Sequence, residues 1–425
     1  MTDYIVAIDL GTSHITGVVG AKSETGVFSV VACEKEFSNL CVRRGNINNL
    51  EETAKCVGSL LKKLEAALNG GVIEKIYVGV GGQSLHTIDH VEKKEIGEDA
   101  AVSESDLDEL KRRCDNFKPD LLDVLNVAQP IYYLDGRREK SPVGVPCKHL
   151  EARYKLIVGR TSIRREIHRS IEERAGKKVA GIIVTPLALS DALLSEQEKE
   201  LGCALVDFGA GVTSVSVFKN NELTSVSVIP LGGNLITRDL VTLQLTESLA
   251  EKLKKEHGSA ILRKEDDDTN ITVNIEETVR IISVNDFNAV TEGRAKEITE
   301  NVYARISAVT DLKALGAGIV LTGGASELKR LPEMLMEKCK IKVRHSIIKE
   351  GLIAGDDDML GNPLFMAALS IMLKGTAQCV QQPENELPPE PPVEEKPLII
   401  REKSRKRGLG KWIKDQFTGD IFDEN

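Results

Sequence analysis

Two stretches of this sequence carry a carboxylate, a glycine and hydroxyl side chains in the same order. Residues 5–20 read IVAIDLGTSHITGVVG, and residues 204–218 read ALVDFGAGVTSVSVF. In each, an apolar run with β-branched residues ends in an aspartate, Asp9 or Asp207. A glycine, Gly11 or Gly209, stands two positions on. Small residues follow, and then an apolar strand resumes, so each stretch reads strand, tight turn, strand. The backbone N–H groups of such a turn can hold phosphate oxygens. The carboxylate beside it can hold Mg²⁺, usually through water. One turn of this kind is a weak signal, because D-x-G turns end many hairpins. Two of them, half a chain apart, suggest two related domains facing each other. Two hairpins and two carboxylates then clamp one nucleotide. On this reading Asp9 and Asp207 share one Mg²⁺ ion. Gly11, Thr12, Ser13, Gly209, Ala210, Gly211 and Thr213 hold phosphates, with His14 beside them.

Further glycines fit the same ligand. Residues 316–331 read GAGIVLTGGASELKRL: a strand over 319–322 runs into Gly323 and Gly324, then a helix. Glycines there let the backbone approach a flat or anionic ligand. A strand over 224–230 leads to Gly232, Gly233 and another helix. Residues 247–256, ESLAEKLKKE, set Glu251, Lys254 and Lys255 one turn apart, within reach of a ribose or base. The same spacing describes a solvated charged helix equally well. No side chain is marked by spacing as a base for an attacking water. His14 reads as a neutral surface residue ahead of a catalytic one.

The elements that must carry these turns read as α/β. A strand over 27–33 precedes an amphipathic helix over 50–68, with Val57, Leu60, Leu61, Leu64 and Leu68 on one face. A strand over 76–80 ends in Gly81-Gly82-Gln83. The next stretch, to residue 146, is polar, with a helix over 104–116, strands near 123–134 and an exposed turn at 135–142. It reads as an inserted subdomain. Apolar patterning returns with a strand over 154–158, a helix over 163–175 closed by Gly176, a strand over 179–184 and a helix after Pro186. Residues 264–276 read as a polar hairpin and 286–309 as a long helix. The helix over 363–373 is apolar all round and so buried.

Composition narrows the function classes. With 425 residues the chain can bury two or more cores. Its net charge is −9, with no global basic field of the kind that attracts nucleic acid. The eight cysteines form no C-x-x-C pair and read as reduced packing residues of a cytoplasmic protein. Asp3 and Asp9 flank the first apolar run, which argues against a signal peptide. No apolar run reaches membrane-spanning length.

The C-terminal stretch has its own chemistry. Residues 376–397 hold six prolines and five glutamates and read as an extended, disordered linker. Residues 401–414, REKSRKRGLGKWIK, then carry seven basic groups against one acidic. Leu409, Trp412, Ile413, Phe417 and Ile421 share one helical face. Arg405, Lys406, Arg407, Lys411 and Lys414 are placed for lipid headgroups. This reads as an interfacial anchor for an anionic membrane, each basic group adding about 1 kcal/mol. The competing reading is a helix that docks on a partner protein or back on the body.

The three glycine-bearing blocks together resemble the actin-like ATPases. The first two are similar to that superfamily's phosphate motifs and LTGGAS to its adenosine motif. The resemblance implies ATP as the nucleotide, with Gly323, Gly324 and Ala325 lining the adenosine. Three more features resemble the FtsA family of bacterial cell-division proteins: GVGGQSL at 79–85 opening the insertion, TPLALSDALL at 185–194, and the proline linker with its amphipathic helix. The resemblance implies an α/β, actin-like (ribonuclease H-like) two-domain fold with an inserted subdomain, a disordered linker and a C-terminal amphipathic helix. Residues 1–84 and 163–195 form the first domain core, 85–162 the insertion, 196–228 and 310–374 the second core, 229–309 its subdomain, 375–400 the linker and 401–425 the anchor. It also implies actin-like filaments and binding of the C-terminal tail of the tubulin-like FtsZ. The FtsZ ring is thereby tethered to the cytoplasmic face of the inner membrane at the division septum, where other divisome proteins are recruited. The FtsZ tail falls to residues 229–309. Arg280, Arg294, Lys296 and Arg305 are the basic candidates there, though any single one reads equally as part of a solvated face. The sequence departs from the family pattern at His14, where Lys is frequent, at Val212, where Thr is usual, and at Ser214, where Asp is common. These changes favour ATP binding over hydrolysis. Two alternatives stay open: a sugar or acetate-type kinase of the superfamily, and an assembly protein of the PilM pilus type.

Overall fold

The computed structural model describes residues 3–38, 41–97, 100–263, 269–275, 278–355 and 357–382. These belong to one compact unit, Met1–Pro383. Its frame is two sheets, each built around one of the Asp-x-Gly hairpins. In the first sheet the strand order is Lys178–Val184, Lys75–Val80, Asp3–Leu10, His14–Lys22, Phe28–Phe37 and Ile353–Ala354. In the second, Glu222–Ile229, Thr213–Lys219, Cys203–Phe208, Gly318–Thr322 and Val343–His345 lie side by side.

The two hairpin strands are apolar without alternation because they are covered on both faces. Ile5, Val6, Ala7 and Ile8 have no exposure, and Cys203, Ala204, Leu205 and Val206 are buried to the same degree. Each strand has an antiparallel partner after the turn and a parallel partner on its other side. Asp9 lies opposite Thr16 and beside Gly79. Asp207 lies opposite Ser214 and beside Thr322. The internal repeat therefore extends from residue type to pairing register.

Helices cover these sheets through their apolar stripes. Leu50–Glu65 starts at Asn49, whose side chain accepts the Glu52 N–H at 3.1 Å. It buries Val57, Leu60, Leu61 and Leu64. Gly17 lets that helix come close: a Cβ there would lie 2.9 Å from Leu64 Cδ1. The inserted stretch adds His86–Glu95, His149–Arg160, Ile131–Leu134 and Arg137–Glu139 to one end of the second sheet. It has a core of its own, with Val102, Leu110, Cys114, Leu150, Tyr154 and Val158 among its members. His86 pairs with Ser227, and the Val226 N–H donates to the Thr87 hydroxyl at 3.3 Å.

Several elements differ from the sequence reading. The helix expected over 163–175 is α-helical over Ser162–Ile167 and then widens to a π turn at His168–Glu172. There the Ser170 hydroxyl donates back to the Glu166 carbonyl at 2.8 Å, and the Glu172 carboxylate accepts the Val179 N–H at 3.0 Å. Gly323-Gly324 leads first into a 3₁₀ turn, Gly324–Glu327. The α-helix Leu331–Cys339 follows, after Arg330 turns left-handed at φ 62°. The helix expected over 363–373 spans Met366–Met372. The polar hairpin sits later than expected, as Asn270–Ile275 and Thr278–Ser283; residues 264–268 and 276–277 lie outside the described residues.

The largest difference is at the start of the linker. Residues 375–382 stay on the body. The Tyr77 hydroxyl accepts from the Thr376 and Ala377 N–H groups at 3.0 and 2.9 Å. The Cys379 N–H donates to the Tyr4 carbonyl at 2.8 Å, and Val380 pairs with Ile73. Cys379 and Val380 are apolar and buried, and the prolines begin only at residue 383. The remaining linker and the whole expected anchor, including Arg405, Lys406, Arg407, Leu409, Lys411, Trp412, Ile413 and Phe417, lie outside the described residues. Among the described residues no helix is long and apolar enough to cross a membrane. All eight cysteines are free thiols.

Candidate functional site

The two turns meet. A Cβ built on Gly211 would lie 2.4 Å from Thr12 Oγ1, so the tip of the second hairpin rests directly on the tip of the first. Asp9 and Asp207 each occupy the next-to-last position of their strand and are partly accessible at the bottom of the cleft between the tips. The first turn is braced by two groups. The Thr12 hydroxyl accepts the Gly45 N–H at 3.2 Å, and its carbonyl accepts the Ser38 hydroxyl. Gly11 is required by the turn itself, since a Cβ there would lie 2.4 Å from the His14 carbonyl.

The second turn is held from behind by Gly232 and Gly233. The Gly233 and Asn234 N–H groups donate to the Gly209 and Ala210 carbonyls at 3.0 and 2.8 Å. A Cβ on Gly232 would meet those two carbonyls at 2.7 Å, and one on Gly233 would meet Ala325 Cβ at 2.8 Å. Those amides are therefore engaged within the protein, and the two glycines serve close packing of the turn against Ala325. Gly323 is buried at φ 90°, and its ideal Cβ would lie 2.4 Å from Asp207 Oδ1. Gly324 is exposed and faces open space.

Two expected ligands are turned elsewhere. Thr213 has no exposure, and its hydroxyl donates to the Leu231 carbonyl at 2.9 Å. Its side chain is on the core face of the strand, opposite to that of Ser214, whose hydroxyl donates to Asp207 Oδ2 at 3.5 Å. Lys254 is buried and donates to the Gly233 carbonyl at 3.1 Å, Thr237 Oγ1 at 2.9 Å and Glu251 Oε2 at 2.6 Å. It ties the helix Glu247–His257 to the second turn. Glu251 is less buried. Burial pushes its carboxyl up, but Lys254, Thr237 and Lys255 together hold it below the usual carboxylate range. His14 is lowered by burial and by Lys35 and Lys255, against an opposing pull from Glu251. The lowered value keeps His14 neutral at pH 7.

The carboxylates themselves bear the marks of crowding. Burial pushes Asp9 up to about 6, against a lowering hydrogen bond from Thr185. Burial and then the charge of Asp9 push Asp207 up to about 7, against Ser214. Two like charges in a closed cleft favour a cation between them. The donors are all oxygen, and among the described residues no cluster of three or more His, Cys, Asp or Glu side chains could hold a metal. Two carboxylates without a full protein cage suit Mg²⁺, which keeps waters and takes remaining ligands from substrate phosphates.

Thr185 and Gly79 were missed by sequence reasoning. Thr185 opens the helix Thr185–Leu193, directly after the strand Lys178–Val184, and its hydroxyl donates to Asp9 Oδ1 at 3.4 Å. The available signal was its place where a strand hands over to a helix, the end of a sheet at which ligands bind. Of the four basic candidates for a partner, Arg294 is committed to Asp239 at 2.6 Å and also to Glu297, and Arg280 to the Gln244 carbonyl at 3.3 Å. Lys296 and Arg305 are exposed.

The raised carboxyls set a pH dependence. A carboxyl raised in the folded state contributes most below its unfolded value near 3.8, and that contribution is lost as pH rises to about 7. Asp207→Asn removes this loss. In the nucleotide-free, metal-free protein the unfolding midpoint of Asp207→Asn should match the parent near pH 4, exceed it increasingly up to pH 7, and keep a constant lead above that. Calorimetric scans across this range check it. A parent at least as stable as the variant at pH 8 contradicts the crowded-carboxylate geometry.

Comparison with known proteins agrees with this architecture. A family model described as cell division protein FtsA matches residues 204–370. The chain is 36% identical over 353 residues to the cell division protein FtsA of Porphyromonas gingivalis, covering 81% of this chain and 73% of that protein. It is 29% identical to the Bacillus subtilis FtsA, covering 80% and 78%. Among solved structures, a PilM–PilN type IV pilus biogenesis complex aligns with a TM-score of 0.59 at 16% identity, covering 87% of this chain and 98% of that one. MreB5 of Spiroplasma citri bound to ADP aligns at 0.50 and 12%, covering 87% and 94%. These likenesses show the actin-like ATPase fold. The two paired hairpins, the inserted subdomain and the sequence identity across most of the chain lead to one conclusion: this chain belongs to the FtsA family of cell division proteins.

Proposed function

We propose that this chain binds Mg-ATP between its two hairpins, assembles into actin-like filaments, and tethers the FtsZ ring to the inner face of the cell membrane at the septum. The observation that carries the nucleotide part is the contact between the two turns, Thr12 against Gly211, with Asp9 and Asp207 beneath it. The amides of Gly11, Thr12 and Ser13 on one side, and of Gly209, Ala210 and Gly211 on the other, take the phosphates. Asp9 and Asp207 hold the Mg²⁺ ion, which neutralises phosphate charge when bound. Gly323, Gly324 and Ala325 line the adenosine, with Glu251 near the ribose. An ADP-bound neighbour of the same fold accords with this reading. The departures from the family pattern at His14, Val212 and Ser214 support a reading of binding with weak hydrolysis or none.

The tether is supported by sequence chemistry: a proline-rich stretch followed by a basic segment whose spacing would put Leu409, Trp412, Ile413 and Phe417 on one face of a helix. One such helix binds weakly and reversibly, and a filament multiplies it into avidity. The FtsZ tail is assigned to residues 229–309. Lys296 and Arg305 are its available basic contacts, because Arg280 and Arg294 are engaged by neighbours.

Gly324 faces open space, so Gly324→Asp should leave the fold intact and place a carboxylate against the nucleotide. Calorimetry should show Mg-ATP affinity reduced by about tenfold or more, on the scale of ~1.4 kcal/mol. Unchanged affinity would move the adenosine site elsewhere. For the tether, co-sedimentation with anionic vesicles should be lost in Trp412→Glu while ATP binding persists, and in the parent it should fall with salt. Vesicle binding retained by Trp412→Glu places the anchor in another segment.

A further inference from the structure

Asp9 and Thr185 are not on neighbouring strands. In the first sheet the strand Lys75–Val80 lies between Asp3–Leu10 and Lys178–Val184, so two interstrand spacings, about 9.6 Å in all, separate the backbones concerned. Their side chains meet nonetheless, because the residue beside Asp9 in register on the intervening strand is Gly79. Gly79 pairs with Asp9 on one side and with Ile183 on the other. A Cβ on Gly79 would lie 2.7 Å from Thr185 Oγ1 and 3.1 Å from Asp9 Oδ1, and would also run into Ile371 Cδ1 at 2.2 Å. The missing side chain thus opens a gap that the threonine hydroxyl and the carboxylate fill from opposite sides.

Thr185 is fixed more firmly than a surface hydroxyl. It is 4% exposed and begins the helix Thr185–Leu193, whose Pro186 is at a first-turn position and whose Ala188, Leu189, Ala192 and Leu193 are buried. Its χ1 is restricted by β-branching. A carboxylate at a strand end has two soft torsions, and a hydrogen bond to one oxygen leaves the other oxygen turned toward the cleft.

We propose that Thr185 is the positioning residue for the Asp9 carboxylate, and that through Asp9 it sets how readily the nucleotide site takes up Mg²⁺. The proposal rests on the nucleotide reading above. Thr185 does not touch the nucleotide on this account; it acts on the metal ligand alone. Its loss therefore affects the metal-dependent part of nucleotide binding and spares the part that the turn amides supply without metal.

The test uses the full-length chain with Thr185→Val, which keeps the shape and removes the hydroxyl, and Thr185→Ser, which keeps the hydroxyl. ATP binding is titrated against Mg²⁺ concentration and repeated in excess chelator, with unfolding midpoints measured in parallel. Thr185→Val should raise the Mg²⁺ concentration for half-maximal ATP binding at least threefold while leaving the chelator value unchanged, and Thr185→Ser should restore it to within a factor of two. If Thr185→Val keeps the parental Mg²⁺ dependence, or if both variants lose ATP binding equally in Mg²⁺ and in chelator, the positioning role is overturned. Should the valine variant fail to fold, the serine variant decides with the same titration: parental Mg²⁺ dependence supports the role, and a threefold shift with the hydroxyl present contradicts it. A parent chain that binds no ATP overturns the nucleotide reading and this proposal with it.

Discussion

Two carboxylates must be held facing each other in a cleft that excludes much of the water around them. Like charges so placed repel, and the desolvation of each adds to the cost. The folded framework must supply that free energy, and the arrangement of the chain reflects it. Asp9 and Asp207 each sit one residue before the end of a strand whose preceding residues are buried on both faces. Each has an antiparallel partner that fixes the turn and a parallel partner that fixes its depth. Glycines occur where a side chain would keep the carboxylates or turns apart: Gly79 beside Asp9, Gly323 against Asp207 and Gly211 against Thr12.

Beyond the site, the two halves are joined by elements that pack on the sheets. The helix Thr185–Leu193 runs from the first sheet toward the second, and its Asp191 pairs with Lys199 at 3.0 Å and with Lys374 at 2.5 Å. Arg344, on the edge strand of the second sheet, pairs with Glu198 at 2.6 Å. The inserted subdomain lengthens the second sheet but folds around its own apolar residues. The insertion thus shares a sheet with the second hairpin while most of its apolar residues form a separate core.

Much of this was legible in the sequence, for identifiable reasons. The duplicated D-x-G turns were readable because, although one such turn ends many hairpins, a second copy half a chain away leaves few alternatives. The amphipathic helix Leu50–Glu65 was readable from its period, and the inserted helix Glu104–Asn116 has the bounds expected of it. What sequence could not give was side-chain direction. Thr213 and Ser214 are adjacent hydroxyls, and only the strand register decides that Ser214 faces Asp207 while Thr213 enters the core. Thr185 and Gly79 were invisible as site residues because their meaning depends on which strands become neighbours. Arg294 reads as a free cation until Asp239 is brought beside it. The linker was placed too early because composition marks a stretch without marking where its last apolar residues, Cys379 and Val380, find a partner strand.

The central claim is that one metal ion and one nucleotide join the two hairpins. Crystals of the full chain grown with Mn²⁺ and a non-hydrolysable ATP analogue test it most directly, because the anomalous signal locates the metal independently of the protein phases. The account predicts a single Mn²⁺ peak between Asp9 and Asp207, directly ligated or reached through water, with the phosphates against the amides of both turns. A metal bound to only one half, or a nucleotide seated away from the two turns, would contradict it.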